Sequence, residues 1–237
     1  PLPAKSLIQL WLSAVREARH QPAFSCLGQT LSYGQVDQLS RRVAHYLQKN
    51  LKLQAGDRIA IQLPNLMQYP IVALAAWRLG LIVVNTNPMY SVRELVHQFN
   101  DAKVKVVIVL DQFYDTLSEA LPSTNIEHVV VTRAIDLFPP MKKQFASVLM
   151  KLTGRWKKIG SGPWIPFSDL LNGGINYKTH ITELNDLCAL QYTGGTTGAS
   201  KGVMLIQRAL LSNVAQCLAV LSVQEDSLES SSMIAPL

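Results

Sequence analysis

The sequence predicts an α/β fold, a doubly wound and largely parallel sheet with helices on both faces. Two patterns carry this reading. Short runs of β-branched residues alternate with segments of helical periodicity, and the runs stay apolar at consecutive positions, as strands buried on both sides must. The third observation is material: 237 residues, 48% hydrophobic and only 16% charged, are ample for a core and exclude an intrinsically disordered chain.

From Ser6 to His20, apolar Leu7, Leu10, Trp11, Ala14, Val15 and Ala18 recur at helical spacing. AFSCLGQTLSY then reads as a hairpin turning at Gly28-Gln29, followed by a helix over Tyr33 to Lys49. The repeating order comes next: DRIAIQL as strand, NLMQYPIVALAAWRLG as helix, LIVVNTNP as strand, SVRELVHQFNDA as helix, KVKVVIVL as strand, FYDTLSEAL as helix and IEHVVVT as strand. Ser91 stands three residues before Glu94, a capping box at a helix start. Asn65 is expected to cap a helix beginning at Leu66, with Pro70 inside its first turns.

The segment 139–163 is of another kind. Phe145, Val148, Leu149, Leu152, Trp156 and Ile159 fall on one helical face, while Lys142, Lys143, Lys151, Arg155, Lys157 and Lys158 supply charge, and Gly154 weakens the helix near its end. A basic amphipathic helix with an aromatic on its apolar side has the composition of a segment lying on a membrane surface, with Trp156 and the six cations as the contact. The competing expectation is a surface helix docked on its own domain with its lysines in water.

QYTGGTTGASKGV, Gln191 to Val203, breaks the apolar pattern altogether. DLCALQYT before it reads as a strand, and VMLIQRALLSNVAQCLAVL after it as a strand or turn leading into a helix, so the loop sits at a strand's C-terminal end, where open α/β sheets bind ligands. Gly194, Gly195 and Gly198 permit positive φ and let successive N–H groups converge on one anion; Thr193, Thr196, Thr197 and Ser200 add hydroxyls, and Lys201 a full positive charge. The spacing fits neither a Walker loop, which needs Gly-Lys-Ser/Thr, nor a dinucleotide GxGxxG. The loop therefore reads as a phosphate cradle of a different type.

YTGGTTGASKGVML resembles the phosphate-binding signature of the adenylate-forming superfamily, which comprises acyl-CoA synthetases, luciferases and peptide-synthetase adenylation domains. LSYGQVDQLSRRVAHYL and GDRIAIQLPNLMQYPIVALAAWRLGLIVVNTNP resemble earlier motifs of that family, in the family's order. Gly194, LPNLMQYP and NTNPMYSVRELVHQFND are most similar to bacterial long-chain fatty acid–CoA ligases. Two departures stand out. Ala199-Ser200 replaces the common x-Pro, and Ile206-Gln207-Arg208-Ala209 stands where relatives have Thr-His-Arg-Asn, which is expected to alter the packing of the following helix.

The resemblance implies part of the large N-terminal domain of an adenylate-forming enzyme, in which Thr193, Gly194, Gly195, Thr196, Thr197, Gly198 and Lys201 hold the phosphates of ATP. It implies ATP, Mg2+ and coenzyme A as cofactor and co-substrates, and a fatty acid as the acid activated; another carboxylate is the alternative. The magnesium motif, the C-terminal lid domain and the catalytic lysine are expected beyond residue 237, so no metal ligand or catalytic residue is assigned within it. The chain is expected to be an N-terminal fragment that does not complete ligation alone.

A net charge of +6 favours anionic partners. A basic membrane- or nucleic-acid-binding module would leave the Gly/Thr loop unexplained, and no nucleic-acid signature accompanies the basic helix, so nucleic acid is not expected as a partner. Cys26, Cys188 and Cys217, widely separated, read as reduced and buried in a cytosolic protein. The apolar run Ile71 to Val84 is too short to span a bilayer and contains Arg78, and PLPAKSLIQLW lacks a secretory pattern. A cytoplasmic protein, peripheral at most on the inner face of a membrane, is the expectation, and a homodimer is left open. Asp136, Glu183 and Asp186 read as solvated loop charges, and His20, His45, His97, His128 and His180 as scattered surface or helix histidines.

Overall fold

The computed structural model describes residues 2–154, 156–160, 162–193 and 200–222. Helix α1 (Leu7–Ala18) starts at Ser6, whose hydroxyl accepts from the Gln9 amide. The hairpin β1 (Pro22–Cys26) and β2 (Gln29–Ser32) turns through Leu27 and Gly28, both at positive φ, and runs into α2 (Tyr33–Lys49) through a Ser32–Gln35 capping box.

Strand β3 (Arg58–Gln62), helix α3 (Gln68–Arg78), strand β4 (Ile82–Asn85), helix α4 (Val92–Ala102) and strand β5 (Val104–Leu110) follow the predicted alternation. After a 3-10 turn come α5 (Tyr114–Ala120), β6 (His128–Thr132), α6 (Pro140–Leu152), β7 (Trp164–Pro166), α7 (Phe167–Leu171), β8 (Leu187–Thr193), β9 (Lys201–Ile206) and α8 (Gln207–Ser222). The seven-stranded sheet has the order β7-β6-β5-β3-β4-β8-β9, parallel throughout except that β9 runs antiparallel to β8.

Alternate residues of the inner strands feed two cores. Ile59, Ile61, Val106 and Ile108 pack with Val43 and Leu47 of α2 and Ile71 and Leu74 of α3 on one face. Ala60, Val107 and Val109 pack with Leu95 and Phe99 of α4 and Leu117 of α5 on the other. Strands covered on both faces carry no polar face to solvent, which is why their sequences read as continuous Val/Ile runs. Arg78 lies buried where α1, α2 and α3 meet. Its guanidinium pairs with Asp37 and donates to Ser40 Oγ at 3.3 Å and Tyr177 Oη at 3.2 Å, while Asp37 also accepts from the Trp11 indole.

Three expectations need correction. Helix α3 starts at Gln68, with Met67 as a cap that makes no side-chain hydrogen bond, so Asn65 does not occupy the cap position and Pro70 falls in the first turn, where a missing N–H costs nothing. Helix α6 stops at Leu152 because Gly154 takes φ +68°; Trp156 and Ile159 lie outside it. Of the cysteines only Cys188 is buried; Cys26 is partly exposed and Cys217 exposed. Among the described residues no helix is long and apolar enough to cross a membrane.

Candidate functional site

The sheet reverses its direction of growth at β3: β4 lies on one side and β5, β6 and β7 on the other. A parallel sheet opens a crevice at such a point, above the strands' C-terminal ends. A cavity of about 480 Å³ lies there, walled by Ile61 and Leu63 after β3, Asn85, Thr86 and Asn87 after β4, Gln191 and Tyr192 of β8, and Tyr69 and Tyr90.

One hydrogen-bonded chain organises the wall. Tyr69 Oη donates to Asn85 Oδ1 at 2.6 Å, Asn85 Nδ2 donates to Gln191 Oε1 at 2.8 Å, and Gln98 Nε2 donates to the Asn85 carbonyl at 3.0 Å. Asn85 thereby joins α3, β4, α4 and β8 through both ends of its amide and its own backbone. Burial pushes the Tyr69 phenol above its ordinary pKa, against the hydrogen bond to Asn85, and burial also raises Tyr192 strongly, with the hydrogen bond to Asp101 acting in the same direction. Tyr90 is raised as well, by burial and then by the Glu94 carboxylate. All three phenols are therefore neutral at pH 7, and among the described residues no acidic side chain lines the cavity. The pocket offers hydroxyls and amides with no negative charge, a lining compatible with a polar anion. The carboxamide oxygens of Gln62 and Gln98 are buried beside it without a hydrogen-bond partner among the described residues.

The glycine-threonine tract leaves from this wall. Thr193 ends β8 and Lys201 begins β9, and the two are paired opposite each other in the antiparallel ladder, so both described ends of the loop are held at one point of the rim. Both side chains are exposed. Gly194, Gly195, Thr196, Thr197 and Gly198 lie outside the described residues, as does Arg155 of the basic segment.

Helix α4 fixes the hairpin from below. His97 Nε2 meets the Ser200 carbonyl at 2.9 Å, and Tyr192 Oη donates to the Asp101 carboxylate. His97 and Asp101, four residues apart, project from the same side of the helix. The adjacent glycine is matched to Tyr192: a side chain at Gly202 would stand 2.9 Å from Cζ of that ring. Asn85, Gln98 and Asp101 carry no motif of their own in the sequence, and His97, expected only as a scattered surface or helix histidine, instead holds the Ser200 carbonyl. Their one available signal was the polar NTNP tract directly after an apolar strand.

A family model described as "AMP-binding enzyme" matches residues 11–237. The chain belongs to the AMP-binding enzyme family. A long-chain-fatty-acid–CoA ligase of Salmonella typhimurium is 38% identical over 215 residues, covering 90% of this chain and 38% of that protein. One from Bacillus subtilis is 33% identical over 231 residues, covering 92% and 40%. Among solved structures, a long-chain-fatty-acid–CoA ligase from Archaeoglobus fulgidus superposes with a TM-score of 0.73 at 22% identity, covering 94% of this chain and 41% of that one. That likeness shows the fold. The chain thus spans about two fifths of the length of these curated relatives.

In this family member, the remaining candidates stand apart from the cavity. Cys188 is buried beside Leu205 with its thiol pushed up to about 12 by burial, which leaves it protonated and unreactive at neutral pH. Gln207, one of the departures, is buried, and its Oε1 accepts from the Leu7 amide at 2.9 Å. The first turn of α1 is thereby tied to the first turn of α8.

Three of the basic-segment cations turn toward the protein. Lys142 donates to the Gly28 carbonyl at 2.9 Å, Lys143 pairs with Asp136 at 2.9 Å and Lys157 with Asp115 at 2.7 Å. The Trp156 ring carries the Arg133 guanidinium at 4.3 Å from its centroid and the Lys151 ammonium at 5.0 Å. Asp136 is therefore not a solvated loop charge: besides Lys143 it accepts from the Arg133 amide and the Thr132 hydroxyl.

Proposed function

We propose that the protein activates a fatty acid with ATP, giving an acyl-adenylate and pyrophosphate, and then transfers the acyl group to the thiol of coenzyme A with release of AMP. The observation that carries this reading is the β8–β9 hairpin, which holds Thr193 opposite Lys201 at the rim of an acid-free cavity, in a chain of the AMP-binding family. Relatives bearing the name long-chain-fatty-acid–CoA ligase support the choice of acid. A solved neighbour titled as ATP-bound MatB from Rhodopseudomonas palustris, at a TM-score of 0.69, supports ATP as the nucleotide.

A carboxylate is a poor acyl donor because its charge resists nucleophiles and its oxygen leaves badly. Attack of one carboxylate oxygen on the α-phosphorus breaks the bond to pyrophosphate and converts that oxygen into a good leaving group. The thiol sulfur then displaces AMP at the carbonyl carbon. Positioning and neutralisation of phosphate charge dominate such a step. In this reading Thr193, Lys201 and the intervening Gly194, Gly195, Thr196, Thr197 and Gly198 bind the β- and γ-phosphates and stabilise the departing pyrophosphate. Magnesium, when bound, shares that charge; none of residues 1–237 is assigned to it, nor is the catalytic lysine. Residues 1–237 alone are not expected to complete the ligation. The reading includes cytoplasmic residence with surface contact on the inner face of a membrane.

Lys201→Ala tests it in the natural-length protein by ATP–pyrophosphate exchange with acids of different length. A lost charge-assisted contact of about 1.5–3 kcal/mol predicts a roughly 10- to 100-fold fall in kcat/KM for ATP at unchanged thermal stability. Unaltered exchange removes Lys201 from the site, and exchange supported only by aromatic or amino acids overturns the fatty-acid reading.

A further inference from the structure

Ser200 stands directly before Lys201, the first residue of β9, and the two share one peptide group. The oxygen of that peptide is held from below by His97, whose Nε2 lies 2.9 Å away. A carbonyl can only accept, so Nε2 carries a proton and donates it. A neutral ring in the Nε2–H tautomer does this, and so does a charged ring. The contact therefore needs the donor and not the charge.

The support behind His97 is rigid. The ring itself is half-buried, while Leu95 and Phe99 on either side of it in α4 are packed in the core and Gln98 is tied to the Asn85 carbonyl. One turn further on, Asp101 accepts from Tyr192 Oη, so the same helix holds β8 as well. The pairs Tyr192–Gly202 and Thr193–Lys201 join the two strands, and a side chain at Gly202 would collide with the Tyr192 ring. Asp101 is thus committed to Tyr192, and among the described residues no group of three His, Cys, Asp or Glu could hold a metal ion. The four-residue spacing of His97 and Asp101 serves two hydrogen bonds to one hairpin.

The direction of the Ser200 oxygen has an electrostatic consequence. A trans peptide is planar, with its C=O and N–H pointing opposite ways, and no cis bond occurs among the described residues. Turning the oxygen toward α4 turns the Lys201 N–H to the other side of the hairpin. Anion sites are built from N–H groups that face the ligand, and a carbonyl oxygen in their place would repel it.

We infer that His97 is a positioning residue for the phosphate loop: it locks the Ser200–Lys201 peptide with its oxygen toward α4 and its N–H toward the phosphates, and so fixes the point from which the Lys201 side chain departs. This role rests on the ATP reading above. Without the donor the peptide is free to rotate and to bring its oxygen toward the nucleotide. The penalty falls on ATP rather than on the acid, because neither Ser200 nor Lys201 walls the cavity beside Tyr69 and Asn85.

Two substitutions separate this role from packing. His97→Leu keeps bulk and removes the donor, whereas His97→Gln offers a carboxamide N–H at similar reach. In pyrophosphate exchange by the natural-length protein, His97→Leu should raise the KM for ATP about three- to tenfold, the worth of one hydrogen bond, and leave the KM for the fatty acid unchanged. His97→Gln should stay within about twofold of wild type. Equal impairment in both variants, or an equal rise in both KM values, overturns the positioning role. Lys201→Ala is the reference: if it raises the KM for ATP and His97→Leu does not, the role of His97 fails and the ligase reading stands, and if neither variant changes it, both fail. Nitrogen NMR of histidine-labelled wild type gives a readout free of the chemistry. The His97 ring signals, identified by their loss in His97→Leu, should place the proton of the neutral ring on Nε2, and a proton on Nδ1 alone overturns the contact and the role with it.

Discussion

Gln207 shows how one side chain can join two distant helix starts. Its carboxamide oxygen caps the Leu7 amide, a helix-start donor left without an intrahelical partner, across 200 positions of sequence. Gln207→Ala removes the acceptor and leaves that amide buried and unpaired, for a cost of about 1–3 kcal/mol. Chemical denaturation of the chain reads this directly, and a change below a few tenths would mean that water or another group satisfies Leu7. At the cavity, the network of Tyr69, Asn85 and Gln191 has the same character: three side chains from distant segments, each neutral, each holding the next. No local pattern encodes such a triad, because it exists only once β4 lies beside β8.

Helix α4 is the element on which the site's geometry hangs, since it carries Gln98 to the Asn85 carbonyl, Asp101 to Tyr192 and His97 to Ser200. Its start is fixed by the box in which Glu94 accepts from the Ser91 amide at 2.8 Å and the Ser91 hydroxyl accepts from the Glu94 amide at 3.4 Å. Ser91→Ala should cost about 1 kcal/mol by thermal or denaturant melting. A cost with no accompanying change in the protection of the Asp101–Tyr192 contact would show that the helix holds the hairpin without its cap. This box was legible in the sequence, as were the strand and helix alternation and the span of α2, because buried parallel strands demand β-branched runs and caps demand particular residues at fixed offsets. The direction in which α6 faces was not. Periodicity reveals that an apolar stripe exists, but which side meets the protein is set by Asp136 and the Gly28 carbonyl, which lie outside the helix and draw Lys143 and Lys142 inward. The stop of α6 was equally hidden, since the apolar period runs on through Trp156 and Ile159 while the backbone turns at Gly154.

At the scale of the molecule, the sheet's parallel core is assembled from near neighbours in sequence, whereas the strand that bears the candidate loop joins from far away. Ile59 and Val83, paired between β3 and β4, are about two dozen positions apart; Val83 and Ala189, paired between β4 and β8, are about a hundred. Closing the longer span costs about 1 kcal/mol more in chain entropy, and the contact forms only after the intervening units exist. The order of addition follows: β3, β4 and β5 condense first, and the β8–β9 hairpin, zipped locally through Thr193 and Lys201, docks last. Pulse-labelled hydrogen exchange during refolding should therefore protect the amides of β3 and β5 before those of β8, and simultaneous protection would contradict this order. A nascent chain would thus hold a formed scaffold with no grip on a nucleotide, and binding competence would arrive as the final folding event.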